Sequence, residues 1–371
     1  SFLNSAMTIF AQLVIGPPGA GKTTYCNGMS QMMTALKRKN AVINLDPAND
    51  ILPYEAAVDV RDLITAEDVM EEYQLGPNGA MLYCLEYVLE NLSWIEERVK
   101  EAGKGTYLLF DCPGQVELYM HHHAMREIVA TFQRWDIRLV AVHLTDCTLC
   151  TEPYNYISAV HVALCSMMQL ELPHINVLSK VDLLKRHRKE LDFRLEYYTE
   201  ARDLVQLIRA MGPMQHPLAA KFGKFTEALC ELLDDYSYVK FELLNIQDKK
   251  STMGVLNACD QANGHVLSGA RDGLLDGLLS TAELERAMLD PDEVQEELDE
   301  GVEGTEPRDR MLYSLPDEVI QDEDSSRCHW CSLPEPKNRC NRCKMAYYCD
   351  RECQRKAWQF HKTVCSPSTE T

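Results

Sequence analysis

The sequence predicts an α/β fold: a three-layer, doubly wound, mostly parallel sheet with helices on both faces. An acidic linker and a small metal-stabilised module follow it. Three observations carry this expectation. Short β-branched runs alternate with longer helical patterns over residues 8–265, acidic residues crowd 283–324, and seven of the fifteen cysteines fall between Cys328 and Cys365. The expected domains are 8–268, 269–326 and 327–365.

The strand candidates are "AQLVIG" (11–16), "AVINLD" (41–46), "TYLLFD" (106–111), "RLVAVHLTD" (138–146), "HINVLSK" (174–180) and "YVKFELLNI" (238–246). Several are nearly unbroken apolar runs, as parallel strands covered on both faces should be. Helical patterns occupy 22–38, 62–74, 80–100, 120–133, 153–169, 221–236 and 250–263. Such alternation argues for a doubly wound sheet whose ligands sit at the carboxyl ends of the strands. Between two helical patterns, Gly-Pro-Asn-Gly at 76–79 reads as a rigid turn. Proline presets one dihedral there, and asparagine and glycine tolerate the left-handed region.

A chain of 371 residues has room for two or three domains. No run of about 18 apolar residues occurs, so no membrane partner is expected. The apolar start "TIFAQLVIG" has no basic region before it and reads as a buried strand, not a signal peptide. A cytoplasmic chain with reduced thiols is therefore expected. The net charge of −20 is uneven: residues 283–324 hold 17 acids and three bases, whereas 325–365 hold nine bases and three acids. So acidic a chain is a poor candidate for direct nucleic-acid binding, and the acidic run reads as a solvated tether with at most a short helix. Eight cysteines scattered over residues 26–259 are expected as reduced core residues.

"GPPGAGKTT" lies between a strand and a helix and matches the phosphate-loop pattern G-x-x-x-x-G-K-[ST]. Gly16, Pro17, Pro18, Gly19, Ala20, Gly21, Lys22, Thr23 and Thr24 are the candidate phosphate ligands. Small residues let backbone N–H groups wrap phosphates at the positive end of the helix. Lys22 is expected to neutralise the β- and γ-phosphates and Thr23 to bind Mg²⁺.

"LLFDCPGQVE" places Asp111 at a strand end, within reach of that Mg²⁺. Pro113 and Gly114 let the backbone turn toward a γ-phosphate, so the segment reads as a switch released on hydrolysis. Gln115 and Glu117 are candidates to orient an attacking water. In "NVLSKVDLL", Asp182 is placed to accept two hydrogen bonds from guanine, which adenine does not offer, and Lys180 to lie along the base plane. Ser179 precedes them, and Leu244 and Asn245 are candidates to close over the base.

These pieces, with "NLDPAND", "LGPNGAMLYC", "LNIQDK" and "DQANG", resemble the GPN-loop GTPases over roughly residues 10–265. The resemblance implies GTP/GDP and Mg²⁺ as cofactors. It also implies a dimer, either a homodimer or a pair with a paralogous GPN-loop GTPase. In that family Gly76, Pro77 and Asn78 would enter the neighbouring subunit's site, with Asn78 at the γ-phosphate region. Asp46 matches a family acid near Mg²⁺ and the water, so Asn78, Gln115, Glu117 and Asp46 are the catalytic candidates. No arginine finger is evident, which implies slow intrinsic turnover. The family's role implies partners among RNA polymerase II assembly factors, and shuttling to the nucleus. Two other classes stay open: a different phosphate-loop kinase or ATPase, and a nucleotide-binding scaffold that does not hydrolyse.

"CHWC", "CNRC", "CDREC" and "HKTVC" provide eight soft ligands in four close pairs, which suits two structural Zn²⁺ ions. Order and spacing resemble a MYND-type finger. That resemblance assigns Cys328, Cys331, Cys349 and Cys353 to one ion and Cys340, Cys343, His361 and Cys365 to the other. It implies a short proline-containing peptide as the finger's ligand, and a transcription or chromatin adaptor as an alternative role.

Overall fold

Strands β1 (Ile9–Ile15), β2 (Asn40–Asn44), β3 (Ala56–Asp59), β4 (Tyr107–Asp111), β5 (Ile137–Asp146), β6 (His174–Ser179) and β7 (Phe241–Leu244) form one sheet in the order β3-β2-β4-β1-β5-β6-β7. Every pairing in it is parallel. The computed structural model describes residues 8–102, 105–210, 217–236, 239–265, 289–299, 338–339, 347–348 and 355. The chain divides into two units, Ser1–Ala210 with Lys221–Pro307, and Met211–Ala220 with Arg308–Thr371. In the second unit, β8 (Asn338–Arg339) pairs antiparallel with β9 (Tyr347–Tyr348).

Among the described residues the helices follow in order: α1 (Lys22–Ala35), α2 (Ala66–Tyr73), α3 (Pro77–Glu90), α4 (Leu92–Ala102), α5 (Glu117–Met120), α6 (His123–Arg134) and α7 (Pro153–Leu170). After them come α8 (Leu184–His187), α9 (Leu195–Glu200), α10 (Leu204–Ala210), α11 (Pro217–Tyr236), α12 (Lys249–Asn263) and, among the acidic residues, α13 (Pro291–Asp299).

Alternation along β1 builds the three layers. Leu13 and Ile15 join Leu85 and Val88 of α3, Ile95 of α4 and Phe132 of α6 in one core. Val14, between them in sequence, belongs to the other, with Met29 and Met33 of α1 and Val255 and Leu256 of α12. Each fully buried side chain of this kind contributes roughly 1.5–3 kcal/mol. The central strand β1 lies between β4 and β5, so the loop after it opens where the chain's path across the sheet reverses.

Four features depart from the sequence reading. β3 was not expected, because an alanine-rich four-residue edge strand has no β-like composition; its pairing with β2 shifts register at Val42 and Ile43. The helical pattern at 80–100 is two helices, broken at Asn91, whose side-chain amide caps the Tyr87 carbonyl at 2.8 Å. Gly-Pro-Asn-Gly is not a free-standing turn: Gly76 is an N-cap and Pro77 opens α3, where its missing N–H costs nothing. Finally, part of the acidic tether is helical and packed, with Val294 and Leu298 of α13 buried.

His143 of β5 and His174, the first residue of β6, form a histidine pair. The rings of His143 and His174 are 6.2 Å apart, and neither ring nitrogen of His174 has a hydrogen-bond partner. Burial lowers the pKa of His143 to about 4 and that of His174 to about 3, helped by the charge of Lys22 and by His143 respectively.

Candidate functional site

β1 ends in Gly16 at φ 140°, where a Cβ would stand 2.3 Å from the Leu144 carbonyl oxygen, so only glycine passes beneath β5. The loop folds on itself through the Ala20 N–H to the Pro17 carbonyl at 3.2 Å. Gly21 is the N-cap of α1 and brings no side chain to cap the first turn. The helix therefore presents bare N–H donors and its positive end to the loop. Lys22, only 8% exposed, donates to the Pro17 carbonyl at 3.3 Å. Burial lowers its pKa, and the charges of Asp111 and Asp46 oppose that shift.

Asp111, the last residue of β4, is 1% exposed. The Tyr54 hydroxyl donates to its Oδ2 at 2.7 Å, while its Oδ1 is buried without a partner. Burial raises the Asp111 pKa against the hydrogen bonds of Tyr54 and Thr23 and the charge of Lys22. Asp46, just past β2, is likewise raised by burial, opposed by the Ala48 N–H and Lys22. Asn49 donates to the Thr23 hydroxyl at 3.2 Å. A spare buried carboxylate oxygen beside a threonine hydroxyl and a second carboxylate is a donor set of hard oxygens and fits Mg²⁺. Thr23 and Asp111 would hold it, with Asp46 close by.

Beyond β4, the Cys112 N–H donates to the Val14 carbonyl at 3.2 Å and the Tyr119 hydroxyl donates to the Pro113 carbonyl. These bonds press Gly114 onto the phosphate loop: a Cβ there would meet Lys22 Nζ at 3.0 Å and Pro18 Cα at 3.2 Å. Gln115 Oε1 is buried and unpartnered, whereas Glu117 opens α5 and is exposed.

On the other side of the loop, Ser179 ends β6. Its hydroxyl lies 2.8 Å from the Ala20 carbonyl and 3.1 Å from that of Thr145, and so ties the loop to the sheet. Lys180 takes a left-handed φ of 62°, and its ammonium donates to the Gly19 carbonyl and to Asp146 Oδ2, the latter at 2.7 Å. Burial works against the Asp146 charge, but Lys180 and Thr148 outweigh it and hold the carboxyl below its usual range. Asp182 is exposed. Asn245 spends its amide oxygen on the Gln247 N–H at 3.1 Å, holding its own turn rather than reaching outward.

The structure thus gathers Lys22, Thr23, Asp46, Asp111, Gly114 and Gln115 around the loop, with Ser179 and Lys180 bracing it. Gly76, Pro77 and Asn78 stand apart at the start of α3, exposed beside Tyr73 and Leu75. No hydrogen bond described among these residues joins that segment to the loop. The eight zinc-ligand candidates, Cys328, Cys331, Cys340, Cys343, Cys349, Cys353, His361 and Cys365, lie outside the described residues.

A family model described as a conserved hypothetical ATP binding protein matches residues 14–265, and a MYND finger model matches 328–365. A GPN-loop GTPase of Arabidopsis thaliana, QQT1, is 47% identical over 262 residues, covering 70% of this chain and 87% of that one. The chain belongs to the GPN-loop GTPases. GPN-loop GTPase 2 of Danio rerio is 46% identical over 273 residues, 74% of this chain and 86% of its own. Among solved structures, a GTPase in apo form from Pyrococcus abyssi superposes with a TM-score of 0.55 at 25% identity, covering 68% of this chain and 97% of that one.

Within this GPN-loop GTPase fold, sequence reasoning passed over Tyr54, Asn49 and Asp146. Asn49 and Asp146 sat inside the conspicuous "DPAND" and "HLTD" segments, each at or just beyond a strand end. Tyr54 carried no such signal; it meets Asp111 across 57 residues of chain.

Proposed function

We propose that this protein binds GTP and hydrolyses it as a conformational switch. One observation supports the reading above all. The buried, unpartnered oxygens of Asp111 and Gln115 lie with Lys22 and the uncapped first turn of α1 around a single loop. Each of these groups lacks what a magnesium-bound triphosphate offers. The bound Mg²⁺ would supply charge neutralisation across the β- and γ-phosphate oxygens. Lys22 holds the same oxygens, and the N–H groups of α1 cradle them. Gln115 accepts a hydrogen bond from the attacking water and orients it, with Glu117 as a second polar group. Because Gly114 abuts Lys22, loss of the γ-phosphate frees the segment that Gly114 leads.

Asp182 selects guanine over adenine, since its exposed carboxylate is available for the paired donors of the guanine edge. That choice runs against the adenine in the family model's description and with the named relatives. The site is completed by a second subunit, a copy of this chain or a paralogue, whose Asn78 enters beside the γ-phosphate. Support comes from the family and from the exposure of Tyr73 at the end of α2, of Leu75 between α2 and α3 and of Asn78 in the first turn of α3. The finger recruits proline-containing peptides from partner proteins. Assembly of RNA polymerase II and shuttling to the nucleus are the roles that the family resemblance supports. Among the described residues, no helix is long and apolar enough to cross a membrane.

Single-turnover hydrolysis of GTP and of ATP, with Asn78→Ala and the mass of each protein under a GTP analogue, tests both parts. Asn78→Ala is expected to slow GTP turnover about tenfold or more while leaving binding intact. A monomeric Asn78→Ala protein with full activity would end the composite site, and absence of GTP turnover in the parent protein would end the GTPase reading.

A further inference from the structure

We infer that helix α13 is an intramolecular clamp on the base-side edge of the nucleotide groove, and that its docking slows release of the bound nucleotide. The clamp rests on the assignment of Asp182 to the base.

The docking is specific. Val294 and Leu298, four residues apart and so on one face of α13, are 9% and 3% exposed, and Gln295 between them is 2% exposed. Gln295 Oε1 accepts the Leu195 N–H at 3.1 Å. No side chain of α9's own N-cap performs that duty, so a residue a hundred positions away caps the helix. Around this apolar centre four carboxylates meet four cations. Asp292 pairs with Arg194 at 2.7 Å, Glu293 with Lys250 at 2.8 Å, Glu297 with Lys185 at 3.1 Å and Asp299 with Arg188 at 2.5 Å. Pairs as exposed as Lys185–Glu297 contribute little each but set register. Arg188 is largely buried, and it and Gln295 hold Asp299 below the usual carboxylate range although burial opposes the charge.

Three of the four cations belong to the two segments that border the base position, and the fourth, Arg194, is the N-cap of α9. Lys185 and Arg188 lie in the continuous run of short helical turns that starts at Val181 and contains Asp182. Lys250 lies in the first turn of α12, directly after the turn that follows β7. One helix therefore straps both loops. With α13 docked, Asp182 is held in place; with α13 displaced, its run loses the ion pairs of Lys185 and Arg188, and α9 beyond it loses its cap and the Arg194 pair. Because α13 belongs to the segment leading to the finger, engagement at the finger side gains a route to nucleotide exchange.

The test uses the full-length protein and follows two quantities, hydrogen exchange of the 291–299 amides and release of a fluorescent GDP. Leu298→Asp is expected to abolish protection of 291–299 and to speed GDP release about tenfold. Should that variant fold poorly, a charge swap keeps the question open to refutation. Arg194→Glu should raise both exchange and release, and adding Asp292→Arg should return both toward the parent values. Two outcomes overturn the clamp alone: protection of 291–299 lost while release stays within about twofold, or protection retained in these variants. A parent protein that binds no guanine nucleotide while 291–299 stays protected would instead remove the base assignment, and the clamp with it.

Discussion

The two ends of the groove are held by opposite means. At the phosphate end, Lys22 and Asp111 are buried, and their neighbours come from the strand ends and loops of the sheet itself. At the base end, Asp182 is exposed and its supports, Lys185 and Arg188, are tied down from outside by a helix more than a hundred residues later in the chain. The difference teaches that one end is built for charge handling in a preorganised, low-dielectric setting, whereas the other is open to adjustment.

Substitutions at the two ends should therefore fail differently. Lys22→Ala should weaken GTP and ATP binding alike by at least about a hundredfold, on the order of 3 kcal/mol, by calorimetry. Asp182→Asn should instead erase most of the preference for GTP over ATP, on the order of a hundredfold, while bound GTP still turns over. If Asp182→Asn lost all nucleotides equally, the two ends would not be separable.

The histidine pair of β5 and β6 gives a second contrast, of intermediate size. In the unfolded chain both rings take up protons near the usual 6.5, whereas in the fold they resist until about 4 and about 3. Stability is therefore fully present above 6.5 and is lost as the pH falls from there toward 4, by about 2 kcal/mol per ring at pH 5. Urea denaturation of His174→Leu should recover about that amount at pH 5 relative to its effect at pH 7. Equal effects at the two values would contradict the burial argument.

The smallest expected effect sharpens the phosphate end. The raised pKa of Asp111 means that its charge costs folding free energy above the ordinary carboxylate range, a cost absent once it is protonated. Asp111→Asn should accordingly raise the stability of nucleotide-free protein by about 1 kcal/mol while abolishing the stabilisation that Mg²⁺ and GTP confer together. Thermal melts with and without both ligands read this, and a destabilised empty protein would contradict it.

The candidate site was legible in uneven measure. Residues 16–24 and 108–117 declared themselves because phosphate chemistry demands small residues, a lysine and a strand-end acid at fixed spacing. Ser179 proved legible only in space, where its hydroxyl bonds the Ala20 carbonyl. The Gly-Pro-Asn segment was read correctly as preorganised but wrongly as a separate turn, since proline serves a turn and the first position of a helix equally well.

By itself the sequence determined the alternation of strands and helices, the phosphate loop and the four cysteine-rich pairs. Each is a local pattern in which neighbouring residues impose one geometry on the backbone or on a ligand. Only the tertiary structure decided that 56–59 forms an edge strand, that Tyr54 completes the Asp111 carboxylate and that an acidic stretch docks as α13. In each case the deciding partner lies far away in the chain: β2 for the edge strand, Asp111 for Tyr54, and the ring of Lys185, Arg188, Arg194 and Lys250 for α13. Nine residues with five carboxylates look like solvated tether until those cations are placed opposite them.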